Sequence, residues 1–153
     1  MKRLSVILCV LAGLSVSGAV AAHSYKQGDI SIGHVWTRAT MSGVSTAAIY
    51  LPLLNTGKEP DKLLGATSAL ADKIDIRDEK KENGIASMPK LDALTLEPGK
   101  PVALRPGGMH LMVFGLKKQL KVGEMFPLTL QFEKAGNANV EAKIEDIGAS
   151  NKP

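Results

Sequence analysis

Turn-forming residues cut this chain into runs too short for a long amphipathic helix. Asn55-Thr-Gly-Lys-Glu-Pro60, Glu97-Pro-Gly99, Arg105-Pro-Gly-Gly108 and Ala135-Gly-Asn-Ala138 each combine glycine with proline or asparagine. Glycine reaches left-handed backbone without steric cost, and proline removes an amide donor, so such clusters end regular structure. The runs between them read as strands. Asp29 to Arg38 alternates, with Ile30, Ile32, His34 and Trp36 expected on one face. Thr46 to Asn55 follows, with Pro52 marking an edge or a bulge. Asp61 to Thr67 comes next, then Ile74 to Arg77 and Gly84 to Met88 around a solvated charged loop, Asp78 to Asn83. Leu94 to Leu96, Val102 to Leu104, Met109 to Leu116, Pro127 to Lys134 and Asn139 to Ile147 complete the set. Many strands with Gly and Pro turns predict an all-β, Greek-key β-sandwich or barrel. Trp36, the single tryptophan, is expected to anchor its core, and residues 148–153 to fray.

The first 22 residues read as a secretory leader. Lys2 and Arg3 precede the apolar run Leu4 to Leu14, and Ala19-Val20-Ala21-Ala22 supplies the small-residue cleavage site. The apolar run is too short to span a bilayer. Cleavage after Ala22 leaves one domain, residues 23–153, of 153 − 22 = 131 residues. Loss of Lys2 and Arg3 lowers the formal charge from +4 to +2, and no Lys/Arg cluster suggests nucleic acid. Cys9 lies inside the leader, and Val-Leu-Ala-Gly follows it, which does not match a lipoprotein cleavage box. The remaining chain has no cysteine, so packing alone must hold it and any soft metal ligand must be methionine.

Cleavage at that site makes His23 the first residue. A terminal histidine offers its α-amine and ring nitrogen to one ion, and a second imidazole completes a histidine brace. Such nitrogen sets favour Cu(II) among divalent ions. The other two histidines are His34 and His110, and either can complete the set. The densest group of potential donors is Gly107-Gly108-Met109-His110-Leu111-Met112. On a strand, His110 and Met112 project to one face, and a nitrogen beside a thioether suits Cu(I).

These residues carry a resemblance. From Trp36 to about Lys143 the chain resembles the periplasmic copper chaperones called PCuAC. The matching stretches include Val35-Trp-Thr-Arg-Ala-Thr40, Asn55-Thr-Gly-Lys-Glu-Pro-Asp-Lys-Leu63, Leu104-Arg-Pro-Gly-Gly-Met-His-Leu-Met112 and Pro127-Leu-Thr-Leu-Gln-Phe-Glu-Lys-Ala-Gly136. The resemblance implies a cupredoxin-like fold and a copper motif of histidine, ten residues, methionine, twenty-one residues, then His-x-Met. Met88, His110 and Met112 stand at three of its positions, but the first is Arg77. Arginine has no lone pair to give and stays charged. The family's Cu(I) site is therefore expected to be weakened or absent, with His23 and His34 as compensating donors.

The expected function is a periplasmic copper-binding protein, a chaperone or store without catalytic activity. Cu(II) is favoured and Cu(I) possible, held by some of His23, His34, His110, Met112 and Met88. The expected partner is a copper-receiving metalloprotein or a second copper chaperone. Two readings compete: a β-sandwich interaction module without metal, and a histidine-brace copper oxygenase, against which stands the lack of a substrate platform. No P-loop, dinucleotide glycine pattern, HExxH or catalytic-triad spacing occurs.

Overall fold

The computed structural model describes residues 24–150. The leader and His23 lie outside the described residues. Among those described there is no helix, and no helix long and apolar enough to cross a membrane. The strands in chain order are β1 (Tyr25–Gln27), β2 (Ile30–Ile32), β3 (Trp36–Arg38), β4 (Thr46–Asn55), β5 (Asp61–Thr67), β6 (Lys73–Asp78) and β7 (Lys80–Glu82). They continue with β8 (Ile85–Ser87), β9 (Lys90–Leu91), β10 (Leu94–Leu96), β11 (Pro101–Leu104), β12 (Met109–Phe114), β13 (Met125–Phe132) and β14 (Gly136–Glu145).

Seven of these close a barrel in the order β4, β12, β6, β5, β13, β14 and β3, with β3 pairing back to β4. Insertion of β12 between β4 and β6, and of β13 beside β5, makes the connections cross as a Greek key does. Strand β4 is ten residues long and serves two ladders. Its first half lies in the barrel wall, and its second half carries β2 and β11. Closure removes most unpaired edges, which a small β protein without disulfides must suppress by itself.

The core follows from period-two alternation. Phe126, Leu128 and Leu130 of β13 point inward, opposite Ala142, Val140 and Ala138 of β14, and Phe132 and Ile144 are buried with them. Ile49, Leu51, Leu53, Leu63, Ile76 and Leu111 fill the space between. Each such side chain contributes about 1.5–3 kcal/mol on burial. Asp61 is a buried polar exception: its carboxylate accepts the backbone amides of Lys62, Lys134 and Ala135 at 2.7, 2.8 and 2.9 Å. It ties the β13–β14 turn to β5. Burial pushes its carboxyl up, but those amide bonds and the Lys134 charge outweigh that and hold it below the usual carboxylate range.

The segment from Asp29 to Arg38 departs from simple alternation. Ile32 pairs with Leu53, yet Trp36 pairs with Tyr50. Four steps on one strand thus oppose three on β4, a bulge at Gly33-His34-Val35. One extra residue inverts the facing of everything beyond it. Ile30 and Ile32 enter the core, but Trp36 joins Tyr50 on the outer face while Thr37 turns inward. Trp36 is buried against Tyr50, ring centroids 4.7 Å apart, and is not part of the main core cluster. The expected single face of Ile30, Ile32, His34 and Trp36 is corrected accordingly, while Trp36 is buried as expected, at 5% exposure, though on the opposite face. Gly33 permits the bulge, because a Cβ there would come within 2.5 Å of the Pro52 ring.

Two further expectations are revised. The charged loop is itself a hairpin, β7 against β8, turning at Asn83 and Gly84, both with positive φ. Residues 85–87 therefore pair with 80–82, whereas the partner of β6 on that side is β9. Residues 148–150 are tied down, the Ala149 carbonyl accepting Arg38 Nε at 2.7 Å, while 151–153, the rest of the segment expected to fray, lie outside the described residues.

Candidate metal centre

One line of outward-facing residues crosses the barrel wall. Trp36 pairs with Tyr50, His110 pairs with Arg77, and Arg77 pairs with Lys90. The β4–β12 register (Leu111 with Ile49) makes His110 the next neighbour of Tyr50, and their rings lie 6.5 Å apart. Met112 stands two residues along the same face, opposite Asp75.

The glycine turn before β12 sets the histidine. Gly107 has φ +76°, and the Gly108 amide donates to the Arg105 carbonyl at 3.1 Å. The turn brings the Gly108 carbonyl to 2.9 Å from His110 Nδ1. A carbonyl only accepts, so Nδ1 carries the proton and a neutral ring presents its lone pair at Nε2. His110 is 4% exposed. Beside it, burial pushes the Tyr50 phenol up, with Arg38 opposing and Glu79 adding, so it stays protonated at neutral pH.

Met88 follows β8 and is 44% exposed. Its backbone carbonyl accepts Arg77 Nη1 at 3.0 Å, which fastens the end of the hairpin to β6. The amides of Asp78 and Glu79 add bonds to the Pro89 and Gly108 carbonyls, at 3.1 and 3.2 Å. Arg77 therefore joins the segments that carry Met88, His110 and Met112. Its Nη2 donates to Asp75 at 3.2 Å, and the guanidinium lies 5.4 Å from the centre of the Phe114 ring. Asp75 is 4% exposed and also faces Lys73 and Lys90, at 3.1 and 3.5 Å. Burial alone would raise its carboxyl, but hydrogen bonds from Lys73 and Arg77 and the lysine charges hold it below the usual range.

His34 lies elsewhere. It sits in the bulge before β3, and its Nε2 meets Glu145 Oε1 at 2.8 Å. Strand β4 separates β3 from β12, two strand intervals or roughly 10 Å. The β1–β2 register runs from Gln27 with Ile30 to Tyr25 with Ile32. The start of β1 therefore lies beside the Gly33-His34 bulge, two residues after position 23. The segments that carry the candidate donors thus fall in two places: those of Met88, His110 and Met112 beside Arg77, and that of His34 with Glu145 near the chain start. Among the described residues no cluster of three His, Cys, Asp or Glu is placed to hold a metal. A three-donor set from described side chains needs the methionine sulfurs, whose mixture with one imidazole suits soft Cu(I).

Tyr50 and Glu145 are the neighbours that sequence reasoning missed, whereas the pairing of Arg77 with the nearby Asp75 is open to a reading of the sequence and is present at 3.2 Å. Tyr50 could have been found by counting along Thr46 to Asn55 once the bulge was known. Glu145 gives no local signal, being 111 residues from His34.

The sequence profile of the family described as "Putative lipoprotein LpqE-like" matches residues 30–144. A relative from Leifsonia xyli subsp. xyli, named "Putative lipoprotein Lxx21020", is 29% identical over 95% of this chain and 89% of its own length. The copper-bound PCuAC domain from PmoF2 is 32% identical, with TM-score 0.70 over 81% of this chain and 98% of that one. The solution structure of CuI-DR1885 from Deinococcus radiodurans is 26% identical, with TM-score 0.63 over 87% of each chain. With this barrel, the Arg-Pro-Gly-Gly-Met-His-Leu-Met turn and strand, and these relatives, the chain belongs to the LpqE-like family, the family of the PCuAC-like domains.

Proposed function

We propose that this protein binds copper in the periplasm as a chaperone or store, and passes it to an acceptor metalloprotein or a second copper chaperone. It acts as a carrier and not as an enzyme. In this reading the leader is removed after Ala22, and His23 supplies its amine and imidazole to Cu(II), with His34 as the further nitrogen donor. The observation that carries the reading is the β1–β2 register, which sets the start of β1 beside the bulge holding His34. The two copper-bound relatives support copper as the cargo. His110, Met112 and Met88 form the softer donor group, short of one ligand at position 77.

Titration of correctly processed protein with Cu(II), followed by electron paramagnetic resonance, tests this. One copper per chain with a nitrogen-rich spectrum is expected, and one extra residue before His23 should abolish tight binding. Unchanged stoichiometry and spectrum in the extended protein would defeat the brace. Absence of submicromolar binding to either form would instead favour the metal-free interaction module, the reading that the Arg77 cation supports.

A further inference from the structure

Arg77 lies between the segments that carry the soft donors. It is the ladder partner of His110, and its two terminal nitrogens reach the Met88 carbonyl and Asp75. Asp75 is the ladder partner of Met112, and Phe114, under the guanidinium, is the next residue on that face. The charge is thus carried along the row containing Met112 and ends against the backbone of Met88. Lys73 and Lys90 share the single Asp75 carboxylate with it, so three cations surround one anion. Arg77 Nε is buried and has no hydrogen-bond partner. Such an orphan donor is costly and persists because the other contacts hold the group in place.

We infer that Arg77 is a resident cation that keeps Cu(I) off Met88, His110 and Met112, so that selectivity at these donors is set by charge as well as by a missing ligand. This rests on the reading of those three residues as soft-copper donors. A monovalent copper ion bound by imidazole and neutral thioethers keeps its full charge, and a guanidinium in the same partly dry site repels it. At such separations the repulsion is strong enough to lower affinity by roughly tenfold or more. A missing ligand alone makes a different prediction, because removing the arginine without adding a donor would then change nothing.

Competition titration of Cu(I) against a chromophoric chelator separates the two. Arg77→Gln removes the charge and adds no soft donor; it should bind Cu(I) at least tenfold more tightly than the wild type. Arg77→Lys keeps the charge and should stay near wild type, while Arg77→His should bind most tightly. Circular dichroism checks the fold, and Arg77→Leu serves where the glutamine variant is disordered. A gain in Arg77→His with none in Arg77→Gln or Arg77→Leu overturns the inference and leaves Arg77 as a lost ligand. No gain in Arg77→His overturns the donor assignment itself.

Discussion

Arg77 and His110 are directly opposed across the β6–β12 ladder, so the cation and the imidazole project from one face of the barrel wall. Opposed residues have Cβ atoms about 4.5–5.5 Å apart, so whatever His110 binds must accommodate Arg77. The arginine is well anchored, with a carboxylate, a carbonyl and an aromatic ring around its guanidinium. The proposed soft donor group is therefore built around a permanent charge.

The His34–Glu145 contact should matter to Cu(II). Carboxylates that orient a ligating imidazole are typically worth tenfold to a hundredfold in metal affinity. His34→Ala and Glu145→Ala should each weaken Cu(II) binding by about tenfold or more while the thermal midpoint shifts little. Competitive titration against a calibrated chelator measures this. Wild-type affinity in both variants would remove this pair from the site.

The bulge that presents His34 depends on Gly33. Gly33→Ala drives a methyl into the Pro52 ring, and overpacking of this kind costs about 1–3 kcal/mol. The urea midpoint should fall accordingly. Because the same residue shapes the His34 turn, Cu(II) affinity should fall with it; retained midpoint and affinity together would show that the bulge tolerates a side chain.

Asp61 is expected to be the most sensitive polar position of the scaffold. Asp61→Ala strands three backbone amides, and bonds to a charged acceptor are worth about 1.5–3 kcal/mol each before relaxation and water entry. A loss of roughly 3 kcal/mol in equilibrium unfolding is predicted. A loss under about 1 kcal/mol would mean that solvent replaces the carboxylate.

Acid should destabilise the fold through two depressed carboxylates. Asp61 and Asp75 both titrate lower in the folded chain than in the unfolded one. Their contribution is therefore complete above the unfolded range near pH ~4 and is lost as pH falls through the lower folded values. Unfolding free energy should be flat from neutral pH to about 5 and drop below about 4. Asp61→Asn should reduce that drop. A steep loss already at pH 6 would point to groups other than these two.

Much of the scaffold is legible along the chain. The alternation in Pro127 to Lys134 and Asn139 to Ile147, and the turns at Pro98-Gly99 and Gly107-Gly108, correspond to strands and turns of the barrel. The face shared by His110 and Met112 follows from the two-residue period and is present in β12. The facing of Trp36 was not legible, because a bulge is defined by the count on the opposing strand. The strand Lys80–Glu82 is hidden inside the charged run Asp78 to Asn83, since its lysines and glutamate carry no apolar alternation.

Composition, period and turn chemistry by themselves determined the strand-rich architecture, the lack of any thiol beyond Cys9, and which side chains have lone pairs to offer a metal. Those are local properties, written in neighbours a few residues apart. Only the tertiary structure decided that Trp36 faces outward, that Glu145 reaches His34, and that Arg77 threads between Met88, His110 and Asp75. Each of these depends on the register between distant strands, where a shift of one residue reverses a face, and register is set by the whole closed barrel.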